Sequence, residues 1–218
     1  MLIKKKKIPY GHQWIDEKDI KEVVRVLKSD WITQGPKIEE FERAVAKYCG
    51  VKYGVAVSSG TSALHIAYAV AGIKPGDEVI TTPLTFAATT YTLDFLGAKP
   101  VFADIKEDTF NIDPKEIEKK ITKKTKAIAP VDFAGQPCDY DEILEIAKKH
   151  KLLIIEDAAH ALGSEYRGRK IGSFADMIIF SFHPVKAITT GEGGMILTNR
   201  KDFYEKLKVF RSHGIVKK

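Results

Sequence analysis

Residues 54–63 read Gly-Val-Ala-Val-Ser-Ser-Gly-Thr-Ser-Ala, a short apolar run that gives way to small hydroxylated residues where a helical pattern begins. A strand of this length feeding directly into a helix is one half of a parallel β-α-β unit. The same transition recurs downstream: Glu78 to Thr82 before a helix over Thr85 to Leu96, Val101 to Ile105 before Pro114 to Ile121, and Ala127 to Val131 before Tyr140 to Lys149. Apolar runs at Leu152 to Glu156, Met177 to Phe182 and Met195 to Thr198 follow, with a last helix ending near Arg211. Alternation of this kind predicts an α/β fold whose seven-stranded, mostly parallel sheet carries helices on both faces. Upstream, Ile20, Val23, Val24 and Leu27 repeat at i, i+3, i+4 and i+7, as do Ile38, Phe41, Val45 and Tyr48. They predict two amphipathic helices within an N-terminal segment of about 50 residues, joined through Thr33-Gln34-Gly35-Pro36.

The composition is that of a folded domain. Of 218 residues 44% are hydrophobic, and 35 Lys and Arg against 29 Asp and Glu give a net charge of +6. No internal repeat or low-complexity linker divides the chain, so 1–218 reads as one large domain with its N-terminal helical segment. No apolar run approaches the roughly 18 residues of a membrane-spanning helix. The basic start, Met1 to Lys7, lacks the apolar core of a secretory signal, so a cytoplasmic protein is expected. Basic residues are interleaved with acidic ones except at Lys4 to Lys7, read as a solvated tail, and no aromatic-studded basic stripe suggests nucleic acid. The two cysteines, Cys49 and Cys138, have no metal-ligand spacing and read as packing or surface thiols.

In parallel sheets ligands collect beyond the carboxyl ends of the strands, so the segments after each strand carry the functional argument. Ser58-Ser59-Gly60-Thr61-Ser62-Ala63 offers hydroxyls and free N–H groups at a helix start, an anion cradle; the plainer alternative is that Ser59 or Thr61 only caps the helix. The segment lacks the glycine-lysine pattern of a P-loop and the dinucleotide fingerprint, which disfavours ATP and NAD. Phe86, in Pro83-Leu84-Thr85-Phe86-Ala87-Ala88-Thr89, can stack on a planar ring, although a lone aromatic there is commonly core. Asp157 ends an apolar strand, where a carboxylate needs a cation or water. Lys186, after Ser181-Phe182-His183-Pro184-Val185 and before Gly191-Glu192-Gly193-Gly194, stands where an imine-forming amine is useful; taken singly it reads equally as a solvated loop lysine. Together the four features match pyridoxal phosphate, with a helix start for the phosphate, an aromatic for the ring, an acid for the pyridinium nitrogen and an amine for the aldehyde.

These segments, with Glu156-Asp157-Ala158-Ala159-His160-Ala161-Leu162-Gly163, resemble the DegT/StrS-type aminotransferases that act on nucleotide-linked keto sugars. The likeness runs in order from about Tyr10 to the end. It implies a fold type I large domain in which Lys186 is the Schiff-base lysine and Asp157 the partner of the pyridine nitrogen. It further implies His160 near the phenolic oxygen, Phe86 on the ring, and Thr61, Ser62 and Ser181 on the phosphate. Some relatives that have become dehydratases carry His in place of the lysine, and Lys186 speaks against that branch. Val131-Asp132-Phe133-Ala134-Gly135 and Phe210-Arg211-Ser212-His213-Gly214 look like the C4 aminotransferases of the pseudaminic acid pathway, which implies glutamate as amino donor and a UDP-linked 4-keto-6-deoxy-N-acetylhexosamine as acceptor.

Members of the family continue past His213-Gly214 into a smaller second domain that completes the substrate site and part of a dimer. The resemblance therefore implies a homodimer or a separate C-terminal polypeptide, and weak turnover by these 218 residues alone. Two other readings remain open: a non-catalytic interaction or regulatory remnant, and a different chemistry of the same cofactor.

Overall fold

A computed structural model of the chain describes residue 9 and residues 11–215. The basic cluster Lys4 to Lys7 lies outside the described residues. Helix α1 (Glu17–Leu27) starts at a reciprocal cap: Asp16 accepts from the N–H groups of Lys18 and Asp19, and Asp19 accepts from the Asp16 N–H. Its predicted apolar stripe is present, yet no residue of α1 is buried. Helix α2 (Pro36–Tyr48) begins on Pro36, whose missing N–H costs nothing at that position, and it does pack, burying Val45 and Ala46.

The strands are β1 (Tyr53–Val57), β2 (Glu78–Thr81), β3 (Lys99–Phe102), β4 (Thr125–Ala129), β5 (Leu153–Asp157), β8 (Met177–Ser181) and β9 (Gly194–Thr198), with β6 (Glu165–Tyr166) and β7 (Arg169–Lys170) forming a separate small hairpin. The large sheet has the order β1-β9-β8-β5-β4-β2-β3. Its pairs are parallel from β8 to β3, whereas β9 runs antiparallel to both β1 and β8. The expected seven-stranded, mostly parallel α/β sheet is thus observed. Strands β3 and β4 begin two residues earlier than the apolar runs at Val101 and Ala127 suggest. Pro100 is accommodated because β3 is an edge strand.

Alternation along the central strands sorts side chains to two faces. Ile128, Ile154, Ile178 and Phe180 join Val45 of α2, Ile117 of α5 (Pro114–Lys120) and Ile143 of α6 (Tyr140–His150). Ala127, Ile155, Met177 and Ile179 join Leu64 and Tyr68 of α3 (Gly60–Val70), Leu93 of α4 (Ala88–Asp94) and Leu207 of α7 (Lys201–Arg211). Both faces are covered, as expected. Cys49 and Cys138 are buried free thiols, and burial raises Cys49 to about 11, so they pack rather than react. No helix among the described residues is long and apolar enough to cross a membrane.

Candidate active site

Because β9 is antiparallel to both neighbours, β1 runs in the same sense as β8, β5, β4, β2 and β3. The chain leaves β1, β2, β5 and β8 at one end of the sheet, and every sequence-predicted site residue lies at or just after one of these strand ends.

At the start of α3, Ser59 is the N-cap and accepts from the Ser62 N–H at 3.0 Å. The capping alternative is thus realised, but it uses only one of the N–H groups that a helix start leaves without intrahelical partners. The Ser62 hydroxyl contacts the hydroxyls of both Ser58 and Ser59 at 3.0 Å, and Tyr91 reaches Thr61 Oγ1 at 3.5 Å. Ser181 closes the other side: a Cβ placed on Gly60 would lie 3.0 Å from the Ser181 Cβ. A Cβ on Gly194, which pairs with both Val57 and Ser181, would lie 2.3 Å from the Ser59 carbonyl oxygen. Two glycines therefore let three backbone segments converge under Thr61, Ser62 and Ser181, leaving a hydroxyl-lined helix start suited to a phosphate.

Asp157 ends β5 and is 5% exposed. Thr89 donates to its Oδ2 at 2.6 Å and the Ala159 N–H to its Oδ1 at 3.2 Å. Burial raises its carboxyl, a shift that the Thr89 and Ala159 bonds and the charges of His160 and Lys186 offset only in part. Burial lowers Lys186, opposed by the charge of Asp157. His160, exposed at the rim, is lowered by partial desolvation and by the charge of Lys186. The three groups thus share one electrostatic environment, and among the described residues Lys186 and Asp157 form no ion pair. An acid held by neutral donors, with a lysine nearby but beyond ion-pair reach, fits a flat cationic ring lying between them. Phe86 is 73% exposed, and its carbonyl accepts from the Thr89 N–H at 3.1 Å, which ties the aromatic to the residue that holds Asp157.

Sequence reasoning assigned no role to Thr89, although its spacing from Thr85 places both hydroxyls on one face of a helical turn. It also passed over an acid pair on the opposite face of β5. Glu156, fully buried, faces Asp132, whose Oδ1 accepts from the Cys138 N–H and the Tyr140 hydroxyl, each at 2.9 Å. Asp132 Oδ2 and both Glu156 oxygens are buried without a hydrogen-bond partner among the described residues. Burial and the adjacent acid hold Glu156 well above the carboxylate range, and burial lifts Asp132 to about 6.

A cavity of about 600 Å³ adjoins the helix start, lined among others by Ser58, Ser62, His65, Phe182, Glu192 and Arg211. Lys186, Asp157 and Phe86 are not among its walls.

The chain belongs to the DegT/DnrJ/EryC1/StrS aminotransferase family, whose profile matches residues 13–218. It is 51% identical over 214 residues to a UDP-4-amino-4,6-dideoxy-N-acetyl-beta-L-altrosamine transaminase of Campylobacter jejuni, covering 97% of this chain and 56% of the relative. Against the Bacillus subtilis spore coat polysaccharide biosynthesis protein SpsC it is 48% identical over 210 residues, covering 96% of this chain and 54% of that protein. Helicobacter pylori PseC, an aminotransferase involved in the biosynthesis of pseudoaminic acid, superposes with TM-score 0.94 at 43% identity over 98% of this chain and 58% of its own. A Streptococcus pneumoniae protein solved in its PMP form superposes with TM-score 0.93 at 38% identity over 97% of this chain and 58% of its own. The chain spans just over half the length of the curated relatives it matches. The fold is that of the type I pyridoxal-phosphate aminotransferases, and family and neighbours indicate pyridoxal phosphate as the cofactor.

Proposed function

We propose that this chain is the cofactor-binding portion of an aminotransferase that moves an amino group from an amino acid, glutamate, to a UDP-linked 4-keto-6-deoxy sugar. The supporting observation is the pairing of a buried, donor-held Asp157 with a half-buried Lys186 at the same end of the sheet. Pyridoxal phosphate, when bound, supplies an electron sink for the carbanion formed at the amino-bearing carbon. Lys186 supplies the amine that holds the cofactor's aldehyde. Once released it takes and returns the proton at the substrate carbon, and burial favours the neutral amine that this needs. Asp157 holds a proton on the ring nitrogen through its negative charge. Thr61, Ser62 and Ser181 bind the phosphate, Phe86 covers the ring, and His160 stands beside the phenolic oxygen.

Campylobacter and Helicobacter relatives named for an altrosamine transaminase support the sugar class, and a GDP-perosamine synthase of Caulobacter vibrioides, 50% identical over 194 residues, shows that the nucleotide varies among relatives. We place sugar contacts and a dimer interface in the part of the relatives' length that this chain does not match, as the family resemblance implies. We therefore expect these 218 residues to bind the cofactor but to turn over keto-sugar nucleotides slowly. The deciding test is the absorption spectrum on adding pyridoxal phosphate. The wild type should show a new visible band that disappears in Lys186→Ala. Identical spectra for the two proteins would remove Lys186 from its role, and a glutamate half-reaction then separates an aminotransferase from a non-catalytic relative of the same fold.

A further inference from the structure

Thr89 has one hydroxyl hydrogen and three oxygens around it: Asp157 Oδ2 at 2.6 Å, Thr85 Oγ1 at 2.7 Å and the Phe86 carbonyl at 3.1 Å. Only one of them can receive that hydrogen. The shortest contact is to a carboxylate, which accepts and cannot donate, so the hydrogen goes to Asp157 and Thr85 must donate to Thr89. The result is a directed chain, Thr85 O–H to Thr89 O–H to Asp157 Oδ2, that favours the ionised carboxyl. A proton on Oδ2 would have to reverse it. Thr89 is fully buried, and its own carbonyl accepts from the Tyr68 hydroxyl at 3.0 Å, so α3, α4 and β5 meet at this one residue. With the Ala159 N–H on Oδ1, each carboxylate oxygen has one fixed donor, which locks the plane of the group and leaves a lone pair on each oxygen.

We propose that Thr89, backed by Thr85, is a positioning residue that keeps Asp157 charged and oriented toward the ring nitrogen of the bound cofactor. This rests on the reading of Asp157 as the partner of that nitrogen. The hydroxyl is the working part, because Thr89→Val keeps the shape and removes the donor, leaving a buried carboxylate oxygen unsatisfied.

The test loads the full chain with pyridoxal phosphate labelled with ¹⁵N in the ring and reads the ring-nitrogen chemical shift across pH, together with cofactor affinity. Wild type and Thr89→Ser should show a protonated ring nitrogen over the same pH range. Thr89→Val should move the shift toward the unprotonated value and weaken cofactor binding about tenfold. Thr85→Val should change both in the same direction by less, and it decides the matter if Thr89→Val does not fold. A folded Thr89→Val with wild-type shift and affinity overturns the relay while leaving Asp157 and Lys186 in place. A wild type whose bound ring nitrogen is never protonated, or that takes up no cofactor, overturns the reading of Asp157 and the relay with it.

Discussion

Glu156 and Asp157 are consecutive residues of one strand, both buried, and their surroundings treat the two carboxyls differently. Asp157 meets a hydroxyl donor, an amide donor and the fields of a lysine and a histidine. Glu156 points to the other face, meets another acid and has no donor. Burial raises both carboxyls; donors and cations oppose that shift at Asp157, whereas the neighbouring acid adds to it at Glu156. The period of two along the strand thus gives one carboxyl donors and cations and the other a second acid.

Another buried acid marks the upper limit of the contrast. Glu42 of α2 receives the Arg211 guanidinium of α7 and the Ala56 N–H at 2.8 Å, joining the two faces of the sheet at its β1 edge. Arg211→Met should leave Glu42 buried without its cation and destabilise the fold by about 3 kcal/mol, measured by urea unfolding. A loss below about 1 kcal/mol would mean that the charge is met by water instead.

Asp157→Asn keeps the hydrogen-bonding shape and deletes the charge, so cofactor affinity should fall by about tenfold to a hundredfold in an absorbance titration. Unchanged affinity would place Asp157 with Glu156 among the structural acids.

Glu156→Gln should do the reverse. Glu156 is raised in the fold, so its contribution to stability is present below its ordinary pKa and is lost as pH climbs through the folded value. The amide does not titrate and offers Asp132 an N–H. Relative to wild type, Glu156→Gln should gain about 1 kcal/mol or more in unfolding free energy between pH 4.5 and pH 8, with cofactor affinity unchanged. A variant that loses ground as pH rises would show that Glu156 is ionised. Smallest of all, Arg167→Ala removes an exposed partner of Asp141 and should change stability by less than about 0.5 kcal/mol.

What the sequence discloses follows how local the physics is. Apolar runs such as Ile154-Ile155 and Met177 to Phe180 predict central strands because both their faces are buried, and the motifs around Ser59, Asp157 and Lys186 are legible because each sits within a few residues of a strand end. Strand limits were displaced where they fall at Lys99 and Thr125, polar residues that enter the ladder through backbone bonds alone. The Thr89–Asp157 bond spans 68 positions, and Asp132 meets Glu156 from the loop after a different strand, so neither leaves a spacing to read. The stripe of α1 was legible as a pattern, but its burial was not, because amphipathicity specifies a face and not what covers it.

The antiparallel placement of β9 also sets a schedule for the ribosome. In the sheet β1 is hydrogen-bonded to β9 and to no other strand, so the first strand made waits for the last. Until β9 has emerged, β1 has no strand to pair with. A nascent chain can assemble β2 to β8 early, yet it finishes its helix-start corner only after β9 has been made, through a strand pairing between Tyr53 and Thr198 of far longer range than the others in this sheet.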